Sequence, residues 1–140
     1  VGTYRINEGS LELPDGYVDQ TINVFPNSSA SPADFSIVVS RDTPLAGENL
    51  QGYFERQMKQ LPNSLPGLKV VRRAQITVGD QPAFEVEYTW VSKGMKMHQR
   101  QATLMVGGRI LNVTASALDN SFHKFAAQFD EILSSFKFES

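Results

Sequence analysis

Cysteine is absent from this chain of 140 residues, and with it go thiol nucleophiles, disulfides, thiolate metal sites and a lipidated cysteine anchor. Histidine is nearly absent. His98 and His123 fall in different predicted elements, without a cluster of carboxylates beside them in sequence, and are read as surface residues rather than a metal site or a base. Excess charge is missing too: 13 basic and 15 acidic residues are scattered, for a formal net charge of -2. That balance gives no electrostatic footprint for nucleic acid or an anionic membrane surface. No run approaches the ~18 apolar residues needed to cross a bilayer, and VGTYRINEGS lacks the succession of a signal peptide. A cytoplasmic protein with no membrane insertion is expected. Because the chain begins at Val1 rather than Met, the question of an upstream leader stays open.

The signatures of catalysis are also missing. Serines are numerous but none sits in a G-x-S-x-G elbow, and Gly79 and the pair Gly107-Gly108 read as turn glycines rather than a phosphate loop. Glu85 and Glu87 share one strand face with no nucleophile or acid partner, and are read as a solvated face. Asn27-Ser28-Ser29 and Asn112-Val113-Thr114 match a glycosylation pattern that matters only in a secreted eukaryotic chain. The sequence therefore predicts a protein that is not an enzyme, with no metal and no cofactor.

What is present is amphipathic pattern. Leu50, Tyr53, Phe54, Met58 and Leu61 repeat at helical spacing after the N-cap candidate Asn49, and Pro62 is expected to stop that helix. A second stripe, Phe122, Phe125, Ala126, Phe129, Ile132, Leu133 and Phe136, predicts one core-facing C-terminal helix capped among Asp119, Asn120 and Ser121. Between the helices, the segments 68–78, 82–92, 95–106 and 109–117 read as strands. The turn signals Gly79-Asp80, Lys93-Gly94 and Gly107-Gly108 separate them, so an antiparallel meander follows. Upstream, 18–25 and 35–41 add two strands joined by a loop over 26–34, and short strands near 4–6 and 10–13 are possible additions.

Grouped strands with separate helices predict an α+β fold in a single domain, 1–140: an antiparallel sheet with both helices on one face and an open concave opposite face. Parity assigns Ala102, Leu104, Val106, Leu111, Val113 and Ala115, together with Phe84, Val86, Tyr88 and Trp90, to the face under the helices. The other face carries Met97, Gln99, Gln101, Thr103 and Met105, with Ile110, Asn112 and Thr114. It is short of charge and rich in amides, hydroxyls and methionines, a mixture suited to a partner rather than to water. In the upstream strands, Ile22 and Val24 share one parity and Val38 shares one with Ser40. Both faces are apolar enough to make an interior strand pair, and these residues alone do not choose between that and a binding surface. Gln57 interrupts the first helical stripe with an amide, either satisfied at a wet margin or presented to a ligand. Gln101, beside Arg100, poses the same alternative from the sheet.

Three segments carry a family resemblance: YRINEGSLELPDGYVDQTINVF at Tyr4 to Phe25, FSIVVSRD at Phe35 to Asp42, and ERQM at Glu55 to Met58. In order and spacing they resemble the Eag chaperones of bacterial type VI secretion, in the DcrB-related or PsbP-like group of small α+β domains. The resemblance spans nearly the whole chain and is sharpest in the first 60 or so residues. It implies a homodimeric cytoplasmic adaptor that shields the hydrophobic N-terminal transmembrane helices of an effector bearing a PAAR spike-tip domain until that effector is loaded. It also implies that Ile22, Val24, Val38 and Ser40 line the groove for those helices, with Gln57 and Gln101 offering amides at its edge. The alternative within the same fold is a DcrB-like or PsbP-like envelope or accessory-subunit domain with another protein partner.

Overall fold

Residues 2–6, 9–13, 21–28 and 34–138 are described in the structure, a computed structural model. In chain order the elements are β1 (Gly2–Ile6), β2 (Gly9–Leu13), β3 (Asn23–Pro26), β4 (Ser36–Asp42), α1 (Leu50–Ser64), β5 (Lys69–Val78), β6 (Gln81–Ser92), β7 (Met95–Val106), β8 (Arg109–Leu118) and α2 (Ala126–Ser134). A single 3₁₀ turn, Phe122–Lys124, precedes α2. β1 and β2 pair as a two-stranded ribbon, while the other six strands form an open antiparallel sheet in the order β3-β4-β8-β7-β6-β5. The expected positions 18–20 and 29–33 lie outside the described residues.

Two-residue turns build the meander. Lys93 and Gly94 both have positive φ, 50° and 79°, the geometry whose twist matches the flanking strands, and so Ser92 pairs with Met95. That turn fixes the register of the whole hairpin, setting Val86 opposite Gln101 and Phe84 opposite Thr103. The β5–β6 turn has a second task. A Cβ on Gly79 would stand 2.5 Å from the Phe136 carbonyl oxygen, and the Gly79 N–H donates to Leu133 O at 2.8 Å, so the segment leaving α2 lies directly against this turn.

The helices lie on opposite faces of the sheet, which corrects the expectation of two helices on one face. α2 and the 3₁₀ turn bury Phe122, Phe129 and Leu133 against Phe35, Ile37, Val39, Ala102, Leu104, Val113 and Ala115. α1 buries Phe54 against Val86 and Tyr88, with Phe84, Trp90, Met58 and Leu61 around them. Since Val86 faces Gln101 across the ladder and Ala102 belongs to the other cluster, the two clusters occupy the two sides. The large residues of β6 therefore sit with the glutamines of β7, not with its alanine and leucine.

Three further expectations are corrected. Pro62 lies inside the last turn of α1, which runs on to Ser64; so close to the end the missing N–H costs a single bond, and the Leu65 N–H still reaches Leu61 O. The C-terminal stripe is broken: Phe122 belongs to the 3₁₀ turn, α2 starts at Ala126 with no side-chain cap, and Phe136 lies beyond its end. Glu85 is buried at 1% exposure rather than solvated. It receives Arg100 at 2.9 Å and Arg72 at 2.7 Å, and Arg100 also reaches Asp130 of α2 at 2.7 Å. Asn49 is the N-cap of α1 as expected, its side chain accepting from the Gly52 N–H at 2.8 Å.

Candidate binding face beside the first helix

Register alone lines up the residues of the α1 face. Val24, Val38, Thr114, Gln101 and Val86 form one row across β3, β4, β8, β7 and β6. A second row holds Ser40, Asn112, Thr103 and Phe84, and a third Ser36, Ser116, Gln99 and Tyr88. At the β6 end these rows are roofed by α1, where Phe54 stacks on Phe84 with centroids 5.2 Å apart. Toward β3 they open. Val24 is 59% exposed and Ile22, just before β3, 61% exposed, while Val38, Ser40 and Thr114 are half-buried. The result is a trench with α1 as one wall, β7, β8 and β4 as floor, and β3 as the far rim. None of the residues in these three rows is ionisable below the tyrosine range.

The polar side chains of the floor are ordered by one another. Gln101 Nε2 donates to Asn112 Oδ1 at 3.1 Å and Thr103 Oγ1 donates to the same oxygen at 2.7 Å. Gln99 Nε2 donates to Ser116 Oγ at 3.0 Å, and the Trp90 indole N–H donates to Gln99 Oε1 at 2.9 Å. With the Gln101 NH₂ engaged, the capacity it retains is its carbonyl oxygen, an acceptor. Gln57 comes one turn after Tyr53, so it shares the side of α1 that faces β4 and β8. Tyr53 itself donates to Asp42 Oδ2 at 2.7 Å. Burial first, and that bond second, push its hydroxyl up to about 12. Gln57 is half-buried, with no hydrogen bond from its side chain among the described residues.

All six residues singled out in the sequence thus fall on one face. Val24, Val38 and Gln101 share a row, Ser40 is in the next row, Ile22 extends the β3 rim and Gln57 stands on the α1 wall. The interior-pair reading of β3 and β4 does not hold on this face, because β3 is an edge strand. Gln99 and Thr114, which strand parity had already assigned to this face, complete the floor together with Ser116, which was identifiable only once register was known. His98 is a correction: its Nε2 meets Glu87 at 2.6 Å, its Nδ1 meets Asp119 at 2.8 Å and its ring stacks on Phe122, all on the α2 side. The Asp119 carboxyl is held below its ordinary value chiefly by that histidine bond. Among the described residues no group of His, Asp and Glu is placed to hold a metal ion, and no helix is long and apolar enough to cross a membrane.

The model of the DcrB family matches residues 8–135. A curated relative, Effector EagT6 of Pseudomonas aeruginosa, is 34% identical over 99 residues, covering 70% of this chain and 69% of that protein. A crystal structure of a Pseudomonas aeruginosa protein of unknown function superimposes with a TM-score of 0.81 at 25% identity, covering 99% of this chain and 97% of the other. LpqN, involved in cell envelope biogenesis of Mycobacterium tuberculosis, and the cyanobacterial PsbP of Synechocystis sp. PCC 6803 share the fold, each with a TM-score of 0.59. Their identities are 18% and 15%; they cover 90% and 99% of this chain, and 79% and 92% of theirs is covered.

Proposed function

Because this chain belongs to the DcrB family and is related to EagT6, we propose that it is a type VI secretion chaperone that acts by binding, not by catalysis. Its client is the hydrophobic N-terminal helical region of an effector carrying a PAAR domain. The chaperone works in the cytoplasm as a single-domain protomer of a homodimer, the assembly implied by the family resemblance. The observation that carries this reading is the trench: an uncharged floor of hydroxyls and ordered amides, open toward an aliphatic rim at Ile22 and Val24.

A transmembrane helix held in water needs its apolar flank covered, and each small polar group along it needs a partner. Ile22, Val24 and Val38 supply apolar cover. Ser40 and the Gln101 carbonyl oxygen supply acceptors, and Gln57 reaches in from α1 with a donor and an acceptor. Covering the exposed part of Ile22 or Val24 contributes about 1–2 kcal/mol each.

The test is coexpression of this protein with an effector segment containing apolar helices of about 20 residues, followed by purification through a tag on the chaperone. The segment should remain soluble and copurify. An insoluble, unbound segment beside a folded chaperone overturns the reading.

A further inference from the structure

A side-chain amide is nearly symmetric in shape, so which end it offers a partner is decided by the groups around it. On the trench floor, Gln99 and Gln101 of β7 lie in adjacent rows and are turned by groups that act in one direction only. For Gln99 that group is Trp90. Its indole N–H donates to Gln99 Oε1 at 2.9 Å and cannot accept, so the oxygen is spent there and the amide N–H points elsewhere, to Ser116 Oγ at 3.0 Å. For Gln101 the anchor is Asp42, an acceptor. Its Oδ2 takes the Tyr53 hydroxyl proton at 2.7 Å, which leaves the tyrosine oxygen able only to accept. Against burial and the Asp42 bond, which push that hydroxyl up, the Asn112 side chain acts to lower it, as an N–H turned toward the oxygen does. The Asn112 oxygen then lies on its other side, where Thr103 Oγ1 donates to it at 2.7 Å and Gln101 Nε2 at 3.1 Å. Tyr53 and Thr103 are 1% exposed and Asn112 9%, so water competes little for these bonds. The chain Asp42, Tyr53, Asn112, Gln101 therefore runs one way and ends on the Gln101 carbonyl oxygen. Whatever meets that oxygen must donate.

We propose that the trench selects its clients by hydrogen-bond polarity: it prefers apolar helices carrying a serine or threonine hydroxyl that donates to Gln101, and Asp42, Tyr53 and Asn112 are the positioning residues that set this preference. The inference rests on the chaperone function proposed above. Such a hydroxyl suits an apolar helix, because away from a partner it bonds back to the carbonyl four residues earlier, and on release that carbonyl keeps its backbone N–H. The probes are three labelled helices of about 20 leucine and alanine residues with lysines at both ends, identical except for a central alanine, serine or O-methylserine. O-methylserine keeps the acceptor oxygen and lacks the proton. Measured by fluorescence anisotropy, wild type should bind the serine helix at least about threefold more tightly than the O-methylserine helix, the worth of one hydrogen bond between helices. Tyr53→Phe, which cuts the chain, and Asp42→Asn, whose amide permits the reverse direction, should each bring that ratio close to one. Melting curves identify a variant that is unfolded, and the other then carries the test. Equal binding of the serine and O-methylserine helices by wild type would overturn the proposal and leave the trench reading standing. A ratio unchanged in the variants, with affinity for all three helices lowered alike, would show a merely structural role and overturn it too. Failure of the folded wild-type protein to bind any of the three would overturn the trench reading, and this proposal with it.

Discussion

Ile22 and Val24 are more than half exposed, so replacing either by Gln removes little that the free protein needs. Ile22→Gln should abolish client copurification while leaving the melting temperature within about 2 °C of wild type, since exposed substitutions shift stability by about 0.5 kcal/mol or less. Val38→Gln should abolish binding as well, but with some loss of stability, because that residue is half-buried. Gln101→Ala and Gln57→Ala should weaken binding by only about 0.6–2 kcal/mol, the worth of one interhelical hydrogen bond. The fold should tolerate Gln101→Ala, because Thr103 still donates to Asn112. Titration calorimetry beside thermal melts separates these cases, and wild-type affinity in Ile22→Gln would remove that residue from the binding face. The six residues were implied by the family resemblance rather than legible in the pattern, which left the β3–β4 pair open between an interior pair and a binding surface. Their contacts were not legible either, since Asn112, which orders Gln101, comes from a strand adjacent in space by register alone.

At the scale of elements, the meander was legible from its turns, and the error over faces arose in β6. Both parities of that strand are buried, one against α1 through Val86 and Tyr88, the other against α2 through Ala83 and Glu85. Size of side chain therefore points to neither face. The two-residue turn at Lys93-Gly94 contained the answer, since it forces even positions of β6 opposite odd positions of β7. α1 can be tested by its own ends and its own ionisations. Asn49→Ala should cost about 1 kcal/mol through loss of the cap, read by urea denaturation. Glu48, paired with Arg56 and accepting from the Leu45 N–H, is held down to about 2, so the support it lends the start of α1 is complete above pH ~4.5 and lost as pH falls toward 2. Tyr53 and Tyr88 act with the opposite sign. Burial raises both to about 12, so the stability they contribute is intact below pH ~10 and lost between pH 10 and 12. A Tyr53→Phe/Tyr88→Phe protein should show a flatter alkaline stability curve than wild type.

For the whole molecule, the sheet separates two tasks. The α2 side holds the larger hydrophobic core and the buried Arg100–Glu85 pair, whereas the α1 side holds the trench. Arg100→Met strands Glu85 with only the half-exposed Arg72 and should destabilise the fold by about 3 kcal/mol, in the range for breaking a buried pair. Client affinity, measured on the fraction still folded, should stay unchanged. A parallel loss of affinity and stability would show that the two faces are coupled.

The strand order also imposes a timetable. The floor of the trench needs β4 beside β8, with Ser36 against Ser116, although β5, β6 and β7 are all synthesised between them. On a ribosome the local hairpins can form as they emerge, but the β4–β8 seam closes late, after the long intervening loop has been ordered. Until then Val24 and Val38 have no Thr114 or Gln101 beside them. For the chaperone proposed above, client binding is therefore expected only of copies whose synthesis has passed β8.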